Sequence, residues 1–177
     1  MNASRSTAVR GSDAHAVAPV QKTIVVGTSV ERAFQVFTEE MDSWWPLASK
    51  HIGKADAKAI VLEPFVGGRW FERGVDGSEC DWGHVRTWDP PWRVELTWEI
   101  SSDWHEDPSI QTEVEVRFMA EGNSTRVDLE HRLLHYYYGE KAPQMRGIFD
   151  SEQGWTGLLE AFASFAAGSA EPKRRQR

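Results

Sequence analysis

The chain has 177 residues, of which 40% are apolar and 27% charged, and its formal net charge is −7; this is a globular composition at the length of one ordinary domain. No apolar run approaches the roughly 18 residues of a membrane-spanning helix, and the acidity speaks against general nucleic-acid binding, whose affinity comes largely from phosphate neutralisation. A single cysteine, Cys80, excludes an internal disulfide and a multi-cysteine zinc site, and without an apolar h-region in its first 20 residues the chain is expected to be cytoplasmic.

Residues 1–18 lack an apolar period and are expected to form a disordered leader. Val20 to Val26 (VQKTIVV) alternates and is β-branched, which predicts a strand. Thr28 and Glu31 stand at capping-box spacing. Behind them Val30, Ala33, Phe34, Phe37 and Met41 share one helical face, and the helix is expected to stop near Trp44-Trp45-Pro46, because proline disfavours the helical conformation in the residue before it. From residue 57 the period changes to two. Strands are expected over 59–65, 69–75, 80–88, 92–101, 110–120 and 124–135. Gly67-Gly68, Asp76-Gly77, Asp89-Pro90-Pro91, the polar segment 102–109 and Glu121-Gly122-Asn123 separate them, so the sheet is antiparallel and meandering. A last helical face runs from Pro143 to Ala167. Gly147, Gly154 and Gly157 weaken its first part, which predicts a separate short helix, with Asp150 or Ser151 capping the main one. Residues 168–177 read as a basic solubilising tail, which leaves 19–167 as a single α+β domain.

Strand parity divides the sheet into two faces. Val94, Leu96, Trp98 and Ile100 align with Val114, Val116 and Phe118 and with Val127, Leu129, His131 and Leu133. The opposite face carries Arg93, Glu95, Thr97, Glu99, Glu113, Glu115, Arg117, Asp128, Glu130 and Arg132, a lattice of both charges. Strands 69–75 and 80–88 have aromatics on both faces, so their inward side stays open.

No GxSxG, HExxH, phosphate-binding glycine loop or dinucleotide fingerprint occurs, and neither a catalytic residue nor a metal or cofactor is assigned. His131 and His135 would lie roughly 13 Å apart on a strand, too far to share an ion. His105-Glu106-Asp107 reads as a solvated loop, and Glu79 and Asp81 disfavour a thiolate at Cys80. Glu72 and Arg86 read as outer-face ion-pair partners, Arg86 facing Glu95 or Glu99. His131 has two readings: a core histidine with filled hydrogen bonds, or the polar anchor of a cavity wall. With nine Trp and eight Phe against three Tyr, an aromatic hollow between sheet and helices is expected. Its candidate lining is Trp44, Trp45, Trp70, Trp98, Phe118, His131, Phe149 and Trp155, with Trp104 at the mouth.

Taken in order, SVERAFQVFT…WWP, LEPFVGGRWFE, WGHVRTWDPPWRVELTW, TEVEVRF, TRVDLEHRLL and WTGLLEAF resemble the SRPBCC superfamily, also called START-like or Bet v 1-like. Within it the chain is similar to the branch of activator of heat-shock-protein 90 ATPase homologues, over about residues 20–167. The resemblance implies a helix-grip fold: a curved seven-stranded antiparallel sheet wrapped around a long C-terminal helix, with a cavity between them. It implies a binding protein for a small apolar or aromatic molecule, with a chaperone-interacting module and a cyclase- or hydrolase-like enzyme as the alternatives. The eukaryotic co-chaperone carries an additional N-terminal domain that an 18-residue leader does not supply. Oligomeric state stays open, a homodimer included.

Overall fold

The computed structural model describes residues 17–168. The leader expected over 1–18 falls outside them except for Val17 and Ala18, and the tail except for Gly168. Along the chain come β1 (Val20–Val26), α1 (Val30–Glu39), α2 (Met41–Trp44), β2 (Ala57–Leu62), β3 (Arg69–Gly74), β4 (Glu79–Asp89), β5 (Arg93–Trp98), β6 (Thr112–Glu121), β7 (Ser124–Arg132), a 3-10 turn (Leu134–Tyr137), α3 (Lys141–Asp150) and α4 (Trp155–Gly168). The strands form one antiparallel sheet in the order β1-β7-β6-β5-β4-β3-β2. It is curved into a half-barrel around the C-terminal helical segment. Register shifts at Ala57/Ala59, Trp70/Phe71 and Val85/Thr87 accompany the bend, as bulges do. Because β1 and β2 occupy opposite edges, α1 and α2 must cross the concave face between them. There α1 packs on β6 and β7, and α4 packs on β1, α1 and α2. Among the described residues no helix is long and apolar enough to cross a membrane.

The helix starts depart from expectation in instructive ways. Ser29 rather than Thr28 caps α1, its hydroxyl accepting the Arg32 N–H at 3.2 Å. The Thr28 carbonyl is instead held by the Thr125 hydroxyl at 2.9 Å, which ties the start of the helix to β7. The first helix does not run to Trp44 unbroken. Glu40 leaves helical geometry (φ −116, ψ 28) while its carboxylate pairs with Arg32, and the single turn of α2 follows, ending before Pro46 as expected. Neither Asp150 nor Ser151 caps α4: Ser151 closes α3, and the Gly154 carbonyl accepts the Leu158 N–H.

The parity assignment holds over β5, β6 and β7, whose inward residues Val94, Leu96, Trp98, Val114, Val116, Phe118, Val127, Leu129 and His131 are buried. Leu133 is the exception. β7 ends at Arg132, Leu133 turns left-handed (φ 62) and is 37% exposed, and Leu134 takes the interior place. β3 alternates, and the extra residue at Trp70/Phe71 is Trp82 on β4; Trp70 and Glu72 share the inward face, and Phe71 is buried on the other one. Trp70 joins the core beside Trp82, while Phe71 lies under the Arg69 guanidinium, 4.0 Å from ring centre.

On the outer face opposite charges meet both directly, as Glu113 and Arg132 do at 3.2 Å, and diagonally. Glu95, Glu115 and Glu130 face one another across β5, β6 and β7. Arg132 bridges them, 2.6 Å from Glu95, 3.7 Å from Glu115 and 3.3 Å from Glu130, and Arg93 reaches both Glu95 and Glu115. These arginines, with His84 on Glu99, take the partners expected for Arg86, which is exposed. Glu72 is not an outer-face residue at all: it is 1% exposed, behind the segment that follows α2.

Candidate functional site

A cavity of about 340 Å³ opens where three segments converge: residues 45–52 after α2, the α3–α4 junction, and the loop after β5. Trp45, Trp82, Trp98, Trp104, Phe149 and Trp155 form its aromatic wall, and Ser49, Lys50, His51 and Gln153 supply polar groups. The rings brace one another, with centroids 5.1 Å apart for Trp45 and Trp82, 5.5 Å for Trp98 and Phe149, and 6.0 Å for Trp98 and Trp155. The last two pairs are edge-to-face, an arrangement that fixes ring planes without filling the space between them. Trp104, with φ 61, stands at the mouth 41% exposed, its ring edge-on to Phe149 at 6.5 Å.

Hydrogen bonds hold the rim together. The Trp45 indole N–H donates to the Lys50 carbonyl at 2.9 Å, closing residues 45–50 into a strap. The Lys50 ammonium donates to the Gln153 carbonyl and fastens that strap to the α3–α4 junction. Under it, the buried Glu72 Oε1 accepts the N–H groups of Ile52 at 2.6 Å and Gly53 at 2.8 Å, and the Trp82 indole N–H at 3.1 Å.

Of the eight residues expected to line the hollow, Trp45, Trp98, Phe149 and Trp155 do so, and the other four lie in the packing around it. Trp44 donates its indole N–H to Val36 O and packs on Phe37 and Phe162. Trp70 stands against Trp82 and Trp98, and Phe118 lies beneath Phe34 and Phe37. His131 is fully buried with both ring nitrogens engaged. Trp155 Nε1–H donates to Nδ1 at 3.1 Å, so the ring proton sits on Nε2 and is given to the Thr112 hydroxyl at 2.8 Å, which itself donates to Trp98 O at 3.2 Å. Burial pushes its pKa down to about 3. This is the core-histidine reading, with no lone pair left for a guest.

The Tyr137 hydroxyl donates to Ile100 O at 2.7 Å, and burial raises its pKa. The Trp98 indole N–H is a buried donor without an acceptor. Among the described residues no group of three or more His, Cys, Asp or Glu converges as a metal site would require. Lys50, His51 and Gln153 escaped the sequence reading because segments 46–56 and 151–154 carry no period. Trp82 escaped because bulges scramble strand parity.

A protein-family profile described as "Activator of Hsp90 ATPase homolog 1-like protein" matches residues 27–167. The chain belongs to this family. No functionally curated protein matches it. Among solved structures, it is similar to the anthrahydroquino-γ-pyrone synthase Txn09, solved complexed with SUM: 38% identity, 84% of this chain and 97% of that one, TM-score 0.59. It is also similar to CalC, a self-sacrificing resistance protein from Micromonospora echinospora, with 28% identity, 85% and 94% coverage and TM-score 0.62. The Aha1 dimer from Colwellia psychrerythraea shares the fold at 16% identity, with 85% and 97% coverage and TM-score 0.58.

Proposed function

We propose that this family member binds a flat, polycyclic aromatic small molecule in the cavity between Trp45, Trp98, Trp104 and Phe149. The observation that carries the reading is the wall itself: six aromatic side chains, braced by tilted and edge-to-face contacts, around a hollow with few polar groups. Its volume of about 340 Å³ lies at the lower end of the range typical of small-molecule sites. Burying about 200 Å² of apolar ligand surface there contributes roughly 5 kcal/mol before association costs. The name of one relative supports the ligand class, the anthrahydroquino-γ-pyrone synthase at 38% identity. A cytoplasmic location goes with this reading.

A synthase-like reaction in the same cavity is the second reading, favoured by the name of the 38% identical relative. A chaperone contact rests on the family description and on a shared fold. Titration with 1,2-dihydroxyanthraquinone, read by tryptophan quenching, tests the binding reading. Trp104→Ala and Trp45→Ala should weaken binding about tenfold or more, whereas Trp92→Ala, exposed at the β4–β5 turn, should not. Absence of quenching across a panel of such polycycles would sink it.

A further inference from the structure

We propose that His51 is the acid–base residue of the cavity and that the buried carboxylate of Glu72 positions it, which deepens, and rests on, the ligand-binding reading above. Glu72 spends one oxygen on three donors, the N–H groups of Ile52 and Gly53 and the Trp82 indole N–H. Its other oxygen, Oε2, is buried without a hydrogen-bond partner. A buried carboxylate left half satisfied is costly, and native structures keep few such groups. What this oxygen faces is His51, whose Nδ1 lies 3.7 Å away, at ion-pair rather than hydrogen-bond distance.

The tautomer of His51 follows from what surrounds it. Nδ1 faces only acceptors, the Gly53 carbonyl at 3.2 Å and Glu72 Oε2, so it carries the hydrogen. Nε2 then holds a free lone pair, and among the described residues nothing bonds to it. His51 lines the aromatic cavity and its side chain is 21% exposed. A base with its lone pair free, its other nitrogen backed by a buried anion and its ring beside an aromatic hollow has the arrangement of a general base and its orienting partner. The other charged group on the strap, Lys50, is turned away to the Gln153 carbonyl. Another histidine–carboxylate pair, His84 with Glu99 at 2.6 Å, lies on the outer sheet face and does not line this cavity.

The step is a proton transfer that balances by itself. A phenolic O–H of the bound polycycle breaks, its proton forms an N–H bond at His51 Nε2, and the ligand becomes a phenolate. Glu72 compensates the imidazolium charge, and the reverse transfer restores both partners.

1,2-Dihydroxyanthraquinone reports the step directly, because its visible band moves to longer wavelength when the phenol ionises. At a pH where the free dye is protonated, the wild-type protein should bind it with a red-shifted band. His51→Gln, at the half-buried rim, should still bind, weakened about two- to tenfold as for one lost hydrogen bond, but with the band unshifted. Glu72→Gln keeps an acceptor for the strap and removes the charge; checked for folding by circular dichroism, it should bind with at most half the shift. Arg117→Gln on the outer face should behave as wild type. A shift that survives His51→Gln, or a wild-type complex with no shift, overturns the acid–base assignment while the binding reading stands. A wild-type protein that binds no dye takes both down.

Discussion

The imidazole of His131 shows how burial turns an interesting residue into a structural one. The sequence places it on the apolar face, but whether it has a free nitrogen depends on Trp155, 24 residues later, and on Thr112 across β6. Desolvation puts its folded pKa at about 3 against an ordinary 6.5. Below pH 6.5 the unfolded chain therefore takes up a proton that the folded chain refuses, and acidification favours unfolding. Between pH 6.5 and 5 this group should cost on the order of 1–2 kcal/mol of stability. Urea unfolding at several pH values should show that loss in the wild type and a correspondingly shallower pH slope in His131→Leu, a variant less stable at neutral pH because it leaves the buried Trp155 indole N–H without an acceptor. Equal slopes would refute the assignment. Cys80 is the opposite case, a lone thiol whose neighbours hold it inert. Burial, Glu106 and Glu72 push its pKa up to about 12. Iodoacetamide at pH 8 should modify it at least about a hundredfold more slowly than a free cysteine, since only the thiolate reacts.

At the scale of elements, the decisive feature is the break between α3 and α4. Continuous helix would point Phe149 and Trp155, six residues apart, in directions about 120° apart; the turn at 151–154 instead sets them at adjoining edges of the cavity. Gly154 makes the turn, and a Cβ there would stand 2.3 Å from the Ile148 carbonyl and 2.4 Å from that of Phe149. Gly154→Ala should therefore destabilise by roughly 1–3 kcal/mol, as overpacking does, and weaken binding of aromatic probes. Gly147 is the contrast: exposed within α3, with nothing within 4 Å of an added Cβ. Gly147→Ala should stabilise by up to about 1 kcal/mol. Both glycines look alike as helix-weakening residues in the sequence, and thermal denaturation of the two variants should separate them in sign.

For the whole molecule, the curved sheet, the crossing helices and the strap leave a hollow that a folded chain keeps and an unfolded chain lacks. A ligand held there must stabilise the fold. At a hundredfold excess over its dissociation constant the gain is about 2.7 kcal/mol, which for a chain of this size should raise Tm by roughly 5–10 °C. A flat melting curve at saturating dye, with Trp104→Ala unchanged, would argue against a cavity site.

Alternation and turn chemistry by themselves determined the strands, their antiparallel order, the apolar face of β5 to β7 and the broken last helix, because each depends on neighbours in the chain. Trp98, Phe149 and Trp155 were readable as interior residues for the same reason. Only tertiary structure decided which aromatics wall the cavity and which fill the core, because that depends on two bulges in β4 that shift parity by one residue. It also decided that Glu72 turns inward and meets His51, since the meeting needs a strap with no period of its own to fold over a strand about 20 residues further on. Contacts between segments so far apart in the chain leave no local pattern to read.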